Sequence, residues 1–111
     1  MPYIKQSQRK LLNSRIESLA SDIIALCEKQ SDYPGLLNYA CTRLALILVS
    51  RLHAKLQYHV IAILTGVFKT ISDEIYRRLG SPYENQKIFE NGDVPEYAEL
   101  VAKISKQGKN L

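Results

Sequence analysis

Ile16, Leu19, Ile23, Leu26 and Cys27 recur at steps of three and four, the spacing of one helix face. Ser14 and Glu17 fit a capping box, with Asn13 as a competing cap, so the pattern predicts a helix from about Asn13 to Lys29. The preceding SQRKLL adds a short turn that tucks Leu11 and Leu12 onto the core. SDYPG at 31–35 is a break, and Pro34 suits the first turn of the next helix, where its missing amide is not needed. That second helix is expected over about Pro34 to Leu52, with Leu37, Ala40, Cys41, Leu44, Ile47, Leu48 and Leu52 among its apolar positions. Every residue from Leu44 to Val49 is apolar, which predicts a helix buried nearly all round, either central in a bundle or in a subunit interface.

HAKLQ at 53–57 marks a weaker break. Ile61, Leu64, Phe68, Ile71, Ile75 and Leu79 then form a long stripe, widened by Val60 and Val67. It predicts a third helix from about Gln57 to Leu79, roughly 34 Å long. Gly66 inside it costs about 1 kcal/mol relative to alanine and implies close packing against another helix. Gly80 is expected as its left-handed C-terminal cap. Ser81 and Glu84 form a second candidate capping box with Pro82 at the first helical position, predicting a short helix over 82–90 that Asn91-Gly92 ends. A last helix, from about Pro95 to Gln107, carries Tyr97, Leu100, Val101 and Ile104 on one side; Gly108 ends it and KNL is a frayed tail.

No period-two alternation, internal repeat or low-complexity segment is found. The expected fold is all-α: a small helical bundle of three main helices plus two short C-terminal ones, in a single domain over 1–111. The chain has 111 residues, enough for one core, and burial against a second copy would help a core of this size. An apolar fraction of 46% argues for a folded chain. The net charge of +4 is carried mostly by the first two thirds, without the dense basic stripe of a dedicated nucleic-acid binder.

Cys27 and Cys41 lie among apolar residues and are expected as buried free thiols of a reducing compartment. Without a CxxC, no metal or redox ligand set is expected. MPYIKQSQRK has no apolar core of a signal peptide, and the longest apolar run, LALILV, is far too short to span a bilayer. These features predict a cytoplasmic protein with no membrane partner. Asp73–Arg77 and Glu74–Arg78, each at i,i+4, read as helix-surface ion pairs. Asp73, Glu74, Glu90 and Asp93 are the candidate carboxylates for a magnesium site of the kind all-α nucleotide pyrophosphohydrolases use. Cys41 with His53 or His59 lacks any local signature of a thiol enzyme. No catalytic residue, metal ligand or cofactor is therefore assigned.

The basic residues are more suggestive. Arg51, His53, Lys55 and His59 cluster at one turn, and Arg77 and Arg78 end the third helix, where cations complement the helix dipole. Arginine forks also bind phosphate oxygens two at a time, and Tyr83 adds a stacking ring. Asn38, in the first turn of the second helix, either caps it or bridges to a neighbour.

The start MPYI, the segment LNYACTRL and the stretch GVFKTISDEIYRRLGSPYENQKIFENGDV resemble a family of small proteins from bacteria, archaea and phages without an established activity. Members begin with a similar MPYI, carry a GELNY segment and close on YRR, PYE and NGDV. The resemblance covers about 1–94; Leu36 stands where the family usually has glutamate, and 95–111 extends beyond the usual end. It implies a helical fold and a phage or mobile-element context. The matching positions are Asn38, Tyr39, Arg43, Tyr76, Arg77, Arg78, Pro82, Tyr83, Glu84, Lys87, Asn91, Gly92 and Asp93. From these, Asn38, Tyr39, Arg43, Arg77, Arg78, Tyr83, Glu84, Lys87 and Asp93 are the candidate ligand-binding residues. The stretch 81–93 is expected as a docking helix that folds back beside Arg77 and Arg78. The leading expectation is a non-enzymatic, self-associating helical binding protein, a dimer first of all, taking a nucleotide, another anion or a host protein. The alternatives are a magnesium-dependent nucleotide hydrolase and a nucleic-acid binder.

Overall fold

The structure, a computed structural model, describes residues 1–109, and the expected frayed tail lies outside them except for Lys109. It is all-α, with no strand among the described residues. The helices are α1 (Gln6–Leu26), α2 (Tyr33–Leu52), α3 (Tyr58–Ile75), α4 (Ser81–Asn91) and α5 (Pro95–Lys109). A 3₁₀ turn over Gln30–Asp32 leads into α2, and a π-helical turn over Tyr76–Gly80 lies between α3 and α4. The chain forms two compact units, Met1–Ile71 and Ser72–Leu111.

In the first unit α1 begins seven residues before the expected cap. The Lys5 amide donates to Gln8 Oε1 at 3.3 Å, and Arg9 Nε donates to the Ile4 carbonyl at 2.9 Å. This glutamine three residues into the helix satisfies a free amide in the way a capping box does, so Asn13 and Ser14 lie inside the helix. α1 also ends earlier than expected, at Leu26, with Cys27 already extended. Asp32 Oδ2 then accepts from the amides of Glu28 and Lys29 at 3.1 and 3.2 Å, which closes the turn. Pro34 sits in the first turn of α2, as its fixed φ favours. The break at 53–57 falls where the pattern put it.

Burial departs furthest from expectation. Among the described residues only Ala45 and Val60 are buried, at 8% and 3% exposure. Leu44, Leu46 and Leu48 of α2, expected to be enclosed, are exposed, and both cysteines are half-buried free thiols. Beyond its own helix backbone, Gly66 has no atom of the described residues within 4 Å of where a Cβ would stand, so the expected close helix contact is not made among them. The accessible surface is 10350 Å². A compact monomer of this mass exposes about 6,200 Å², and even two separate compact bodies of 71 and 40 residues would together expose about 7,400 Å². The excess of about 2,900 Å² has its cause in the sequence: the apolar stripes are wide, and the chain supplies too few helices to cover them.

The segment Gln30–Leu52, taken whole, is long and apolar enough to cross a membrane by length and composition. The six-residue run LALILV understated this, because the helix continues well beyond it on both sides.

In the second unit Gly80 is not a left-handed cap. Its φ of −68° and ψ of −48° are helical, as are those of Ser81. The chain therefore continues through Gly80 into α4 instead of folding back beside Arg77 and Arg78. Pro82 explains the widened turn. A proline clashes with the carbonyl four residues earlier and has no amide to donate. Here the Ser81 amide bonds to the carbonyl of Tyr76, five residues back, which is the π pattern. Asn91-Gly92 does end α4: Gly92 has φ +86° and donates its amide to the Ile88 carbonyl at 2.8 Å. α5 runs through Gly108 to Lys109, so that glycine is no stop.

Candidate functional site

In the first unit α1 and α2 pair as a helical hairpin that leaves an open groove of about 420 Å³. Leu19, Ile23 and Leu26 line one wall, and Leu36, Ala40, Leu44 and Ile47 the other. Their spacing places each set on one helix face, so stripes assigned to a core here form an open surface. Three polar side chains border it: Asp22 from α1, and Tyr39 and Arg43 one turn apart on α2. Among the described residues, neither the Asp22 nor the Arg43 side chain has an ion-pair or hydrogen-bond partner.

Asn38 faces a different opening. It borders a cleft of about 510 Å³ with Tyr33, Leu37, Cys41, Thr42 and Phe68, and its Oδ1 accepts from the Thr42 hydroxyl at 3.3 Å. A step from 38 to 39 turns about 100° around the helix, so the LNY motif addresses two faces of α2. Arg43 also borders a smaller cleft of about 320 Å³ with Ser50 and Arg51. The sequence reading missed Asp22 and counted Leu36 only as a departure from the family. The available signal was an acid at i+3 from Leu19 inside an apolar stripe.

The second unit holds the remaining candidates, and local bonds occupy most of them. Arg77 donates Nη2 and Nε to the two carboxylate oxygens of Glu74 at 2.6 and 3.2 Å, a two-pronged pair. Glu74 thus pairs at i+3, not with Arg78 at i+4 as expected. Arg78 has no ion-pair partner among the described residues. Tyr76 donates its hydroxyl to Glu84 Oε2, and that bond, with some burial and the Glu84 charge, raises the phenol's pKa above its ordinary value. Glu84 is therefore engaged two turns back and does not close a capping box with Ser81. Lys87 Nζ lies 5.6 Å from the centre of the Tyr83 ring and 3.1 Å from Glu90 Oε2. Asp93 Oδ1 accepts from the Val94 amide at 2.7 Å. Gly80 is needed because the Tyr76 ring lies over it: a Cβ there would stand 2.6 Å from Tyr76 Cδ2.

Among the described residues no three His, Cys, Asp or Glu side chains gather where they could hold one ion. The structure thus offers an apolar groove with an unpaired acid and an unpaired base, and separately a helical segment whose polar groups are mostly joined to each other.

No curated protein and no solved structure matches the chain. A family model described as a domain of unknown function (DUF6899) matches residues 1–94, so the match stops one residue before α5 begins. The chain, with its hairpin, widened helical turn and α4 all inside that match, belongs to this family.

Proposed function

We propose that this is a non-enzymatic helical binding protein that works in the cytoplasm as a self-associated assembly. One observation carries the reading: only two side chains among those described are buried, while the chain exposes about 2,900 Å² more than compact units of its size. Somewhat over half of a protein's accessible surface is apolar, so at about 25 cal/mol per Å² of apolar surface covering that area is worth tens of kcal/mol before entropy is charged. Large apolar side chains stand exposed along α1, α2 and α3, and contiguous apolar surface of this kind marks an interaction surface. Sedimentation equilibrium at micromolar chain concentration tests the reading. A dimer or larger closed assembly is expected, and a strict monomer at all concentrations removes it.

A second reading, an anionic small ligand, is favoured by Arg43 and Arg51 flanking Ser50 on one side of α2. Neither guanidinium has an ion-pair partner among the described residues. The fork of Arg77, engaged by Glu74, is the poorer candidate for a phosphate. Calorimetric binding of inorganic pyrophosphate that Arg51→Ala abolishes would support this reading; heat unchanged by Arg51→Ala, or no binding at all, ends it.

A further inference from the structure

The open α1–α2 groove is the strongest unexplained surface of the molecule. We infer that it is a two-fold interface: the groove of one chain packs face to face on the same groove of a second copy, with Asp22 of each chain paired to Arg43 of the other. This rests on the self-association proposed above and specifies where it occurs.

Three observations carry it. The surplus of exposed surface, about 2,900 Å² per chain, exceeds the roughly 800 Å² per partner of a standard stable interface. The groove is also self-complementary in charge. Its apolar walls are bordered by one acid and one base, both without partners among the described residues. Asp22 lies near the middle of the span 19–26 and Arg43 near the middle of 36–47, so a two-fold axis running along the groove lays α1 of each copy on α2 of the other and sets each Asp22 opposite the other chain's Arg43. The product is four helices around the leucine and isoleucine stripes, the arrangement two amphipathic hairpins reach by burying their apolar faces. Third, Arg43 opposes the other cover for such a face, a bilayer. It sits at the middle of α2, where a charge costs about 2.5–3.5 kcal/mol at the membrane centre.

The test is a charge exchange read by sedimentation equilibrium and native mass spectrometry. Asp22→Arg places two arginines opposite each other at both symmetric contacts, and Arg43→Asp places two aspartates there. Each variant alone is expected to associate at least tenfold more weakly than wild type. An equimolar mixture of the two restores both attractive pairs, so a heterodimer of one chain of each kind is expected at wild-type affinity. The double variant Asp22→Arg/Arg43→Asp is expected to regain self-association. Far-ultraviolet circular dichroism checks that each single variant keeps its helix content; restoration in the mixture supports the interface even if one alone is partly unfolded. A wild-type chain that stays monomeric, or that leaves solution for phosphatidylcholine vesicles as a monomer, overturns the self-association reading and this interface with it. A wild type that associates, with single variants that associate equally well or a mixture that restores nothing, overturns the interface alone.

Discussion

Gly80→Ala tests the account of the α3–α4 junction through the sign of its effect. Gly80 is helical, so on propensity alone alanine should stabilise the helix by about 1 kcal/mol. The structure opposes this. An added Cβ would stand 2.6, 2.9 and 3.1 Å from Cδ2, Cε2 and Cγ of Tyr76. These atoms run back to the root of the ring, so a small tilt of its far end relieves nothing. The ring must leave, and its hydroxyl then loses Glu84. Overpacking of this kind costs about 1–3 kcal/mol, so the net change is a loss of up to about 2 kcal/mol, increased by the lost hydrogen bond. With Tyr76→Ala as background the obstacle is gone, and Gly80→Ala should stabilise by about 1 kcal/mol. Urea unfolding followed by circular dichroism, with all four chains of the cycle at one concentration, measures both changes. If Gly80→Ala stabilises the wild-type chain, the ring does not occupy that space and the argument fails.

Gly66→Ala should stabilise by about 1 kcal/mol, because nothing within 4 Å would meet the new methyl group; a loss of stability in the same assay would place another chain against this face of α3. Pro82→Ala supplies an amide and removes the clash with the Arg78 carbonyl, so the turn should tighten and stability rise by about 1 kcal/mol or more; hydrogen exchange that leaves the new amide unprotected would refute the proline as cause of the π turn. Because the Tyr76 pKa is raised in the folded chain, the contribution of its Glu84 bond is fully present below the ordinary tyrosine value of about 10 and is lost as pH rises through the higher folded value. Absorbance titration at alkaline pH should therefore lose a phenol that titrates above the ordinary value in Tyr76→Phe, and an unchanged curve would contradict the hydrogen bond.

The helical class, a break near SDYPG (31–35) and the stop at Asn91-Gly92 were legible because proline and glycine act locally and their effect needs no partner, though the first break lies a few residues earlier than expected, with α1 ending at Leu26 and α2 beginning at Tyr33. The Gly80 boundary was not. Glycine, serine and proline in succession spell a stop and a restart when taken one at a time. Here the Tyr76 ring accounts for the glycine, and a widened turn accommodates the proline without ending the helix. The start of α1 was misplaced for a similar reason, since Gln8 and Arg9 fix the chain before any periodic leucine appears. Burial was misread for a broader reason: a hydrophobic stripe says that a face will be covered, not by what. Of the candidate ligand residues, those in 77–93 stood out as polar groups in an unusual motif, yet most of them bond to near neighbours. Asp22, inconspicuous in the sequence, acquires interest only because the fold sets it on the same groove as Arg43.

The scarcity of contacts between distant parts of the chain also bears on the speed of assembly. Among the described residues nearly all neighbours lie within one helix or across one short turn, so folding within a chain needs little loop closure and each helix forms in about a microsecond. On the self-association proposed above, the slow event is the meeting of two chains. Refolding should follow second-order kinetics, with a half-time that shortens as chain concentration rises. A freshly made, still solitary chain would meanwhile hold its helices with their apolar faces open to water, the state in which it is most exposed to proteolysis and to wrong partners.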